Sequence, residues 1–171
     1  MAGEETKKWT FHHIGVIVDD MDKAIEYYQS LGIVDFPPPP PKTGKAPAGP
    51  VWVEITTYGE AVIKDGQLVN PPEKVTKAGR VAFCKIGSMQ LELIQPGDAF
   101  RDVNRDFLES YGEGMDHIAY TVKAEDYEEE VEKMKAKGLP VIFSGKQASG
   151  GGFSYFDTRK VGGIITELMI G

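Results

Sequence analysis

The chain repeats itself, and that constrains its fold more than any figure of composition. His12-His13-Ile14-Gly15-Val16-Ile17-Val18 and Asp116-His117-Ile118-Ala119-Tyr120-Thr121-Val122 share one plan: a polar residue, then His-Ile, then a strand-like β-branched run. Each leads into an acidic helical stretch ending in glycine, Asp19 to Gly32 in one copy and Glu125 to Gly138 in the other. Further on, Met89-Gln90-Leu91-Glu92-Leu93-Ile94 lines up with Ile164-Ile165-Thr166-Glu167-Leu168-Met169, each placing a lone glutamate between apolar neighbours. Each of these runs follows another strand-like segment, Arg80 to Ile86 and Gly152 to Thr158. The histidines lie 104 positions apart (117 minus 13) and the glutamates 75 (167 minus 92), so the first copy carries 29 extra residues. Internal similarity of this kind predicts two related β-α-β modules with equivalent residues in equivalent places.

The extra length is visible. Pro37 to Pro41 is an unbroken proline run, followed by Pro47, Gly49 and Pro50. Proline has no amide hydrogen to give a ladder or a helix, so this stretch predicts a stiff surface excursion. Val51 to Thr57 reads as an extra strand and Val62 to Val75 as a second loop. Gly97 to Gly114 joins the modules, with a short helix around Asn104 to Tyr111. In the first long helix Met21, Ala24, Ile25, Tyr28 and Leu31 make an apolar stripe. Asp19 or Asp20 caps its start and Gly32 suits the left-handed turn after its end. In the second, Tyr127, Val131 and Met134 make a thinner stripe.

A chain of 171 residues suits one domain or two small ones sharing a sheet. The net charge of −7, with its basic residues scattered, argues against nucleic acid as a partner. No apolar run approaches the roughly 20 residues of a membrane helix. The polar start, MAGEETKKW, lacks the apolar core of a signal peptide, so a cytoplasmic protein is expected. Residues 1–10 read as a disordered tail. Cys84 has no second cysteine to pair with and sits in the apolar run Val81-Ala82-Phe83-Cys84, which reads as a small buried hydrophobe.

Strand alternation then places the polar residues. His13, Gly15 and Ile17 share one face of their strand, while Ile14, Val16 and Val18 take the face a covering helix wants. His117, Ala119 and Thr121 likewise share the uncovered face. Glu92 goes with Ile94, and Glu167 with Met169. A carboxylate in the middle of an apolar strand must protonate or find a cation, since burying it alone costs several kcal/mol. Two imidazoles and two carboxylates converging on one divalent ion solve that problem. His13, Glu92, His117 and Glu167 are therefore the predicted metal ligands. His12 faces the helix side, with a supporting or simply structural role.

The segments His13-Ile14-Gly15, Leu91-Glu92-Leu93-Ile94-Gln95-Pro96, Gly114-Met115-Asp116-His117-Ile118-Ala119 and Gly151 to Thr158 followed by Gly162-Gly163 and Glu167-Leu168 resemble the vicinal oxygen chelate superfamily. That superfamily includes glyoxalase I, methylmalonyl-CoA epimerase, extradiol dioxygenases and bleomycin-resistance proteins. The resemblance runs from about Phe11 to the end. It implies an α+β fold of two tandem β-α-β-β-β modules forming a curled, cup-shaped mixed sheet. The modules are then 11–96, with a Pro-rich insertion 34–79, and 115–171, with the linker 97–114 between them. The pattern is nearest to methylmalonyl-CoA epimerase and its relatives, with two departures. That epimerase commonly has a glutamine at the position of Glu92, where a glutamate is similar to bacterial glyoxalase I. Ala82 aligns with its acidic catalytic residue, a role open to Glu54 only if the inserted strand joins the site.

The resemblance implies an enzyme that removes a proton α to a carbonyl and stabilises the enolate, with one divalent ion (zinc, nickel, cobalt, manganese or iron) and Glu167 or Glu92 as base. Its substrate would carry vicinal oxygens or an acyl thioester, and a homodimer is expected. Two other readings stand beside it: a non-catalytic binding or resistance protein of the same fold, and an extradiol-type dioxygenase. Phe153, Tyr155, Arg159 and Lys160 either contact substrate or form a strand and turn.

Overall fold

The computed structural model describes residues 8–32, 34, 51–57, 63–64, 67–68, 73–98, 102–147, 151–160 and 162–171. In chain order the elements are β1 (Thr10–Ile17), α1 (Met21–Ser30), β2 (Val51–Thr57), β3 (Ile63–Lys64), β4 (Gln67–Leu68), β5 (Glu73–Ile86), β6 (Met89–Pro96), α2 (Val103–Tyr111), β7 (Gly114–Val122), α3 (Ala124–Ala136), β8 (Val141–Gln147), β9 (Gly152–Phe156) and β10 (Ile165–Ile170). The fold is α+β with mixed parallel and antiparallel pairing. Two compact units comprise His13–Glu54 with Thr76–Asp116, and Met1–His12 with Ile55–Val75 and His117–Gly171.

In the unit containing Thr76–Asp116, β1 pairs parallel with β6, setting Gly15 opposite Glu92, and β6 pairs antiparallel with β5. Asp20 opens α1 by accepting from the amides of Asp22 and Lys23, which would otherwise lack partners. Gly32, at φ 66°, takes the left-handed turn after the helix, where a Cβ would be strained. The helix covers the face predicted for it with Met21, Ala24, Ile25 and Tyr28, which pack with Ile14, Val16, Val18, Leu91 and Leu93, whereas Leu31, the last residue of the expected stripe, lies past the helix end and is exposed. Cys84 lies in this core, and burial pushes its thiol up to about 11, as befits a hydrophobe and not a nucleophile. The Asp102 carboxylate caps α2 through the amides of Asn104 and Arg105.

In the other unit β10 lies between β7, parallel, and β9, antiparallel. β9 also pairs with β8, and β8 with Ile55–Thr57 of β2. Tyr127, Val131 and Met134 of α3 pack on Val122, Val141, Phe156 and Leu168, so the thin stripe suffices. Trp9 and Thr10, read from the sequence as tail, are ordered here. The Trp9 indole donates to buried Glu130 at 2.8 Å, Lys8 pairs with Asp126 at 2.6 Å, and β1 begins at Thr10.

Two expectations need correction. The loop expected over Val62 to Val75 contains the two-residue hairpin β3–β4, and β5 starts at Glu73, not Arg80. The charged start of β5, Glu-Lys-Val-Thr-Lys, hid the strand, because backbone pairing does not require apolar side chains. β8 is the second strand of the expected β-α-β-β-β module over 115–171, but its bounds could not be read locally: Val141-Ile142-Phe143 is a short apolar run passing into Ser-Gly-Lys, too brief to show a period. The proline run lies outside the described residues, as does the side chain of Glu54.

Candidate metal centre

The two copies of the repeat build the same local arrangement. In the parallel pair β1–β6, Gly15 stands opposite Glu92, so His13 lies two residues back along the same face. In the parallel pair β7–β10, Ala119 stands opposite Glu167, and His117 again lies two residues back. A diagonal of this kind brings long side chains together across a sheet. Small residues at 15 and 119, directly opposite each carboxylate, leave space for the imidazole to lean across.

The side chains meet as that register predicts. His13 Nε2 is 2.9 Å from Glu92 Oε2, and His117 Nε2 is 3.4 Å from Glu167 Oε2. Both imidazoles are buried, and the carboxylates of Glu92 and Glu167 are 12% and 5% exposed. Such carboxylates need a positive partner, either a protonated imidazole or a cation. The spacing suits a cation in both pairs. Nitrogen and oxygen each about 2.1 Å from one ion stand about 3 Å apart at a right angle and about 3.4 Å apart at a tetrahedral angle. The donors of each pair, an imidazole and a carboxylate, are of kinds that divalent transition metals accept.

The walls differ between the pairs. Phe83 is the cross-strand partner of Glu92 and packs edge-on against His13, ring centroids 5.6 Å apart. Ala82, aligned from the sequence with a catalytic acid, points the other way, into the core with Leu93. Beside His117 and Glu167 stands Tyr155, the cross-strand partner of Glu167, with its hydroxyl 3.5 Å from His117 Nε2. Nothing in the local residue pattern sets Tyr155 apart from Phe153, Arg159 and Lys160. Its placement depends on the β9–β10 register, which no local pattern encodes.

Phe153 is buried among Phe143 and Tyr155. Arg159 is exposed, clasping Asp157 at 2.8 Å, and Lys160 shares that exposed turn, so strand and turn describe this segment. His12, one residue from a ligand candidate, is half-buried on the opposite side of β1.

A family model described as the glyoxalase/bleomycin resistance protein/dioxygenase superfamily matches residues 12–156. None of the curated proteins compared matches the chain. Among solved structures, a hypothetical protein from Bacillus halodurans C-125 is similar over 96% of both chains, with 21% identity and a TM-score of 0.58. Methylmalonyl-CoA epimerase from Mycobacterium tuberculosis is similar over 94% of this chain and 86% of its own, at 21% identity and a TM-score of 0.55. The Streptomyces coelicolor methylmalonyl-CoA epimerase, solved with 2-nitronate-propionyl-CoA, is similar over 94% and 96%, at 20% identity and a TM-score of 0.55. At such identities these likenesses speak for the fold.

Proposed function

The chain belongs to the glyoxalase/bleomycin resistance protein/dioxygenase superfamily, and from that premise we propose that it is a metal-dependent enzyme moving a proton at the carbon next to a carbonyl. Epimerase, isomerase and glyoxalase reactions share this step. One observation carries the reading: a buried His–Glu pair with the same two-residue diagonal is built twice, from strands at equivalent places in the repeat. In this reading His13, Glu92, His117 and Glu167 hold one divalent ion, whether zinc, nickel, cobalt, manganese or iron. Such an ion, when bound, polarises a carbonyl oxygen and eases loss of the neighbouring proton.

The chain's own residues do the rest. His13 and His117, held rigid by burial, fix the donor geometry. Glu167, or Glu92, takes the substrate proton on a carboxylate oxygen and returns it. A carboxylate held beside the reacting carbon would need no diffusing base. Glu92 is the more exposed of the two carboxylates, and Glu167 is walled by Tyr155. The reading extends to a substrate with vicinal oxygens or an acyl thioester, in keeping with the acyl-CoA ligand of the Streptomyces structure. It also takes in a cytoplasmic homodimer, which sedimentation and fractionation would check.

Elemental analysis of the purified protein comes first, followed by incubation with branched acyl-CoA thioesters and with the methylglyoxal–glutathione hemithioacetal. Glu167→Gln should lower turnover by about 100-fold or more while the circular dichroism spectrum stays unchanged. Full activity in that variant overturns the assignment of Glu167.

A further inference from the structure

Glu130 interrupts the apolar stripe of α3, standing among Tyr127, Val131 and Met134 and only 3% exposed. A carboxylate buried there costs free energy unless its oxygens are paired. Both are: Oε2 accepts from the Trp9 indole at 2.8 Å and Oε1 from the Lys133 ammonium at 2.9 Å. These bonds fix an aromatic ring and a cation in the wall of a cleft of about 360 Å³, lined also by Tyr120, Met134 and Thr166. The Trp9 and Tyr120 rings meet at 5.7 Å, inclined by 48°. Thr166 precedes Glu167 on β10 and Tyr120 follows Ala119 on β7, with Tyr120 packed on the helix-side core. The cleft therefore lies on the opposite face of these two strands from His117 and Glu167.

The polar groups left over in the cleft specify what fits it. Lys133 uses two of its three N–H bonds on Glu129, at 2.7 Å, and Glu130, which leaves one donor among the described residues. Thr158 donates its hydroxyl hydrogen to the Ile164 carbonyl at 2.7 Å. In the 3.0 Å contact between Thr158 and Thr166 the donor is therefore Thr166, whose oxygen keeps a lone pair to accept with. The charges of Lys133 and Lys137 on the wall are matched by those of Glu129 and Glu130, so a net charge on the ligand gains nothing. One donor, one acceptor, aromatic walls and no excess charge complement a neutral planar heteroaromatic ring that carries a carbonyl beside a ring N–H. We propose that the cleft is a binding site for such a ring lactam, its carbonyl accepting from Lys133, its N–H donating to Thr166, its face against Trp9 and Tyr120. Stacking on aromatic side chains with a few placed polar groups is how pockets of this size hold small planar ligands. The site does not depend on a metal at the other face of the sheet.

The test uses 15N-labelled full-length protein and two soluble probes, 2-pyridone and N-methyl-2-pyridone, the second keeping the ring and the carbonyl without the N–H. The chain has two tryptophans, and the Trp9 indole signal is the one missing from the Trp9→Phe spectrum. 2-Pyridone should shift that signal saturably. N-methyl-2-pyridone should bind about 3- to 10-fold more weakly, as expected for the loss of one hydrogen bond. In Thr166→Val, which keeps the β-branched shape and removes the accepting oxygen, the two probes should bind alike. The proposal is overturned by the absence of a saturable shift, by equal affinity for the two probes in the wild type, or by discrimination that survives in Thr166→Val. Should Thr166→Val melt out, magnetisation transfer in the wild type decides: the ring protons of bound 2-pyridone must reach Trp9 and Met134, and a bound probe that reaches neither rejects the cleft.

Discussion

Replacing Asp102 with asparagine should make the protein more stable near neutral pH and leave it unchanged in acid. Asp102 caps α2, its Oδ1 accepting from the amides of Asn104 at 3.1 Å and Arg105 at 2.9 Å. Those bonds and the helix N-terminus favour the carboxylate, but the side chain is buried, and desolvation outweighs them, pushing its pKa up to about 6 from the ordinary 3.8. A carboxyl whose folded pKa lies above its unfolded one favours folding in its protonated form. That advantage is complete below about pH 4 and is lost as pH rises through about 6. A gap of about two pH units corresponds to at most about 3 kcal/mol. Asparagine keeps the capping oxygen and carries no charge to bury, at a capping cost of a few tenths of a kcal/mol. Urea unfolding of both proteins at pH 4, 6 and 8 reads the difference, which should open from near zero to about 2–3 kcal/mol in favour of Asp102→Asn. Any metal-linked stability is common to both proteins and cancels. A gap independent of pH, or a wild type that gains on the variant as pH rises, would show that the amides and the helix terminus hold the carboxylate charged, contrary to this reasoning.

Two further substitutions probe the sheet. Ala119→Leu fills the space opposite Glu167 across which His117 leans, so metal measured by elemental analysis should be lost at an overpacking cost of about 1–3 kcal/mol. Gly79→Ala would place a Cβ 2.8 Å from the Gln95 carbonyl oxygen, where backbone must move, and a melting temperature lowered by several degrees is the expected outcome.

What the sequence disclosed was whatever has a period or a twin. The helix stripes, the caps at Asp20 and Gly32, and strand β2 could all be read locally, because alternation and punctuation are properties of neighbouring residues. Each His–Glu pair was legible through the repeat: a lone His13 or Glu92 says little, but recurrence at 117 and 167 does not fit a solvent-facing accident. Phe83 stayed hidden, and Tyr155 could be named only together with Phe153, Arg159 and Lys160, because the places of both come from cross-strand register with Glu92 and Glu167, set by distant pairing. Ala82, which the resemblance aligns with the epimerase's acidic residue as a departure from that pattern, lies on the other face of its strand, since its neighbour Phe83 is the residue opposite Glu92.

The parallel pairing of β1 with β6, and of β7 with β10, has a consequence for how the protein comes into being. Neither imidazole is near its carboxylate along the chain: 79 residues separate 13 from 92 and 50 separate 117 from 167. An unfolded chain therefore offers no preassembled chelate, and each pair arises only once two remote strands have locked in step. A slip of one position would turn an imidazole to the far side of the sheet. On the metal-dependent reading proposed above, cation uptake during refolding would thus time the arrival of correct long-range pairing, in each half of the chain, more directly than any spectroscopic measure of strand content.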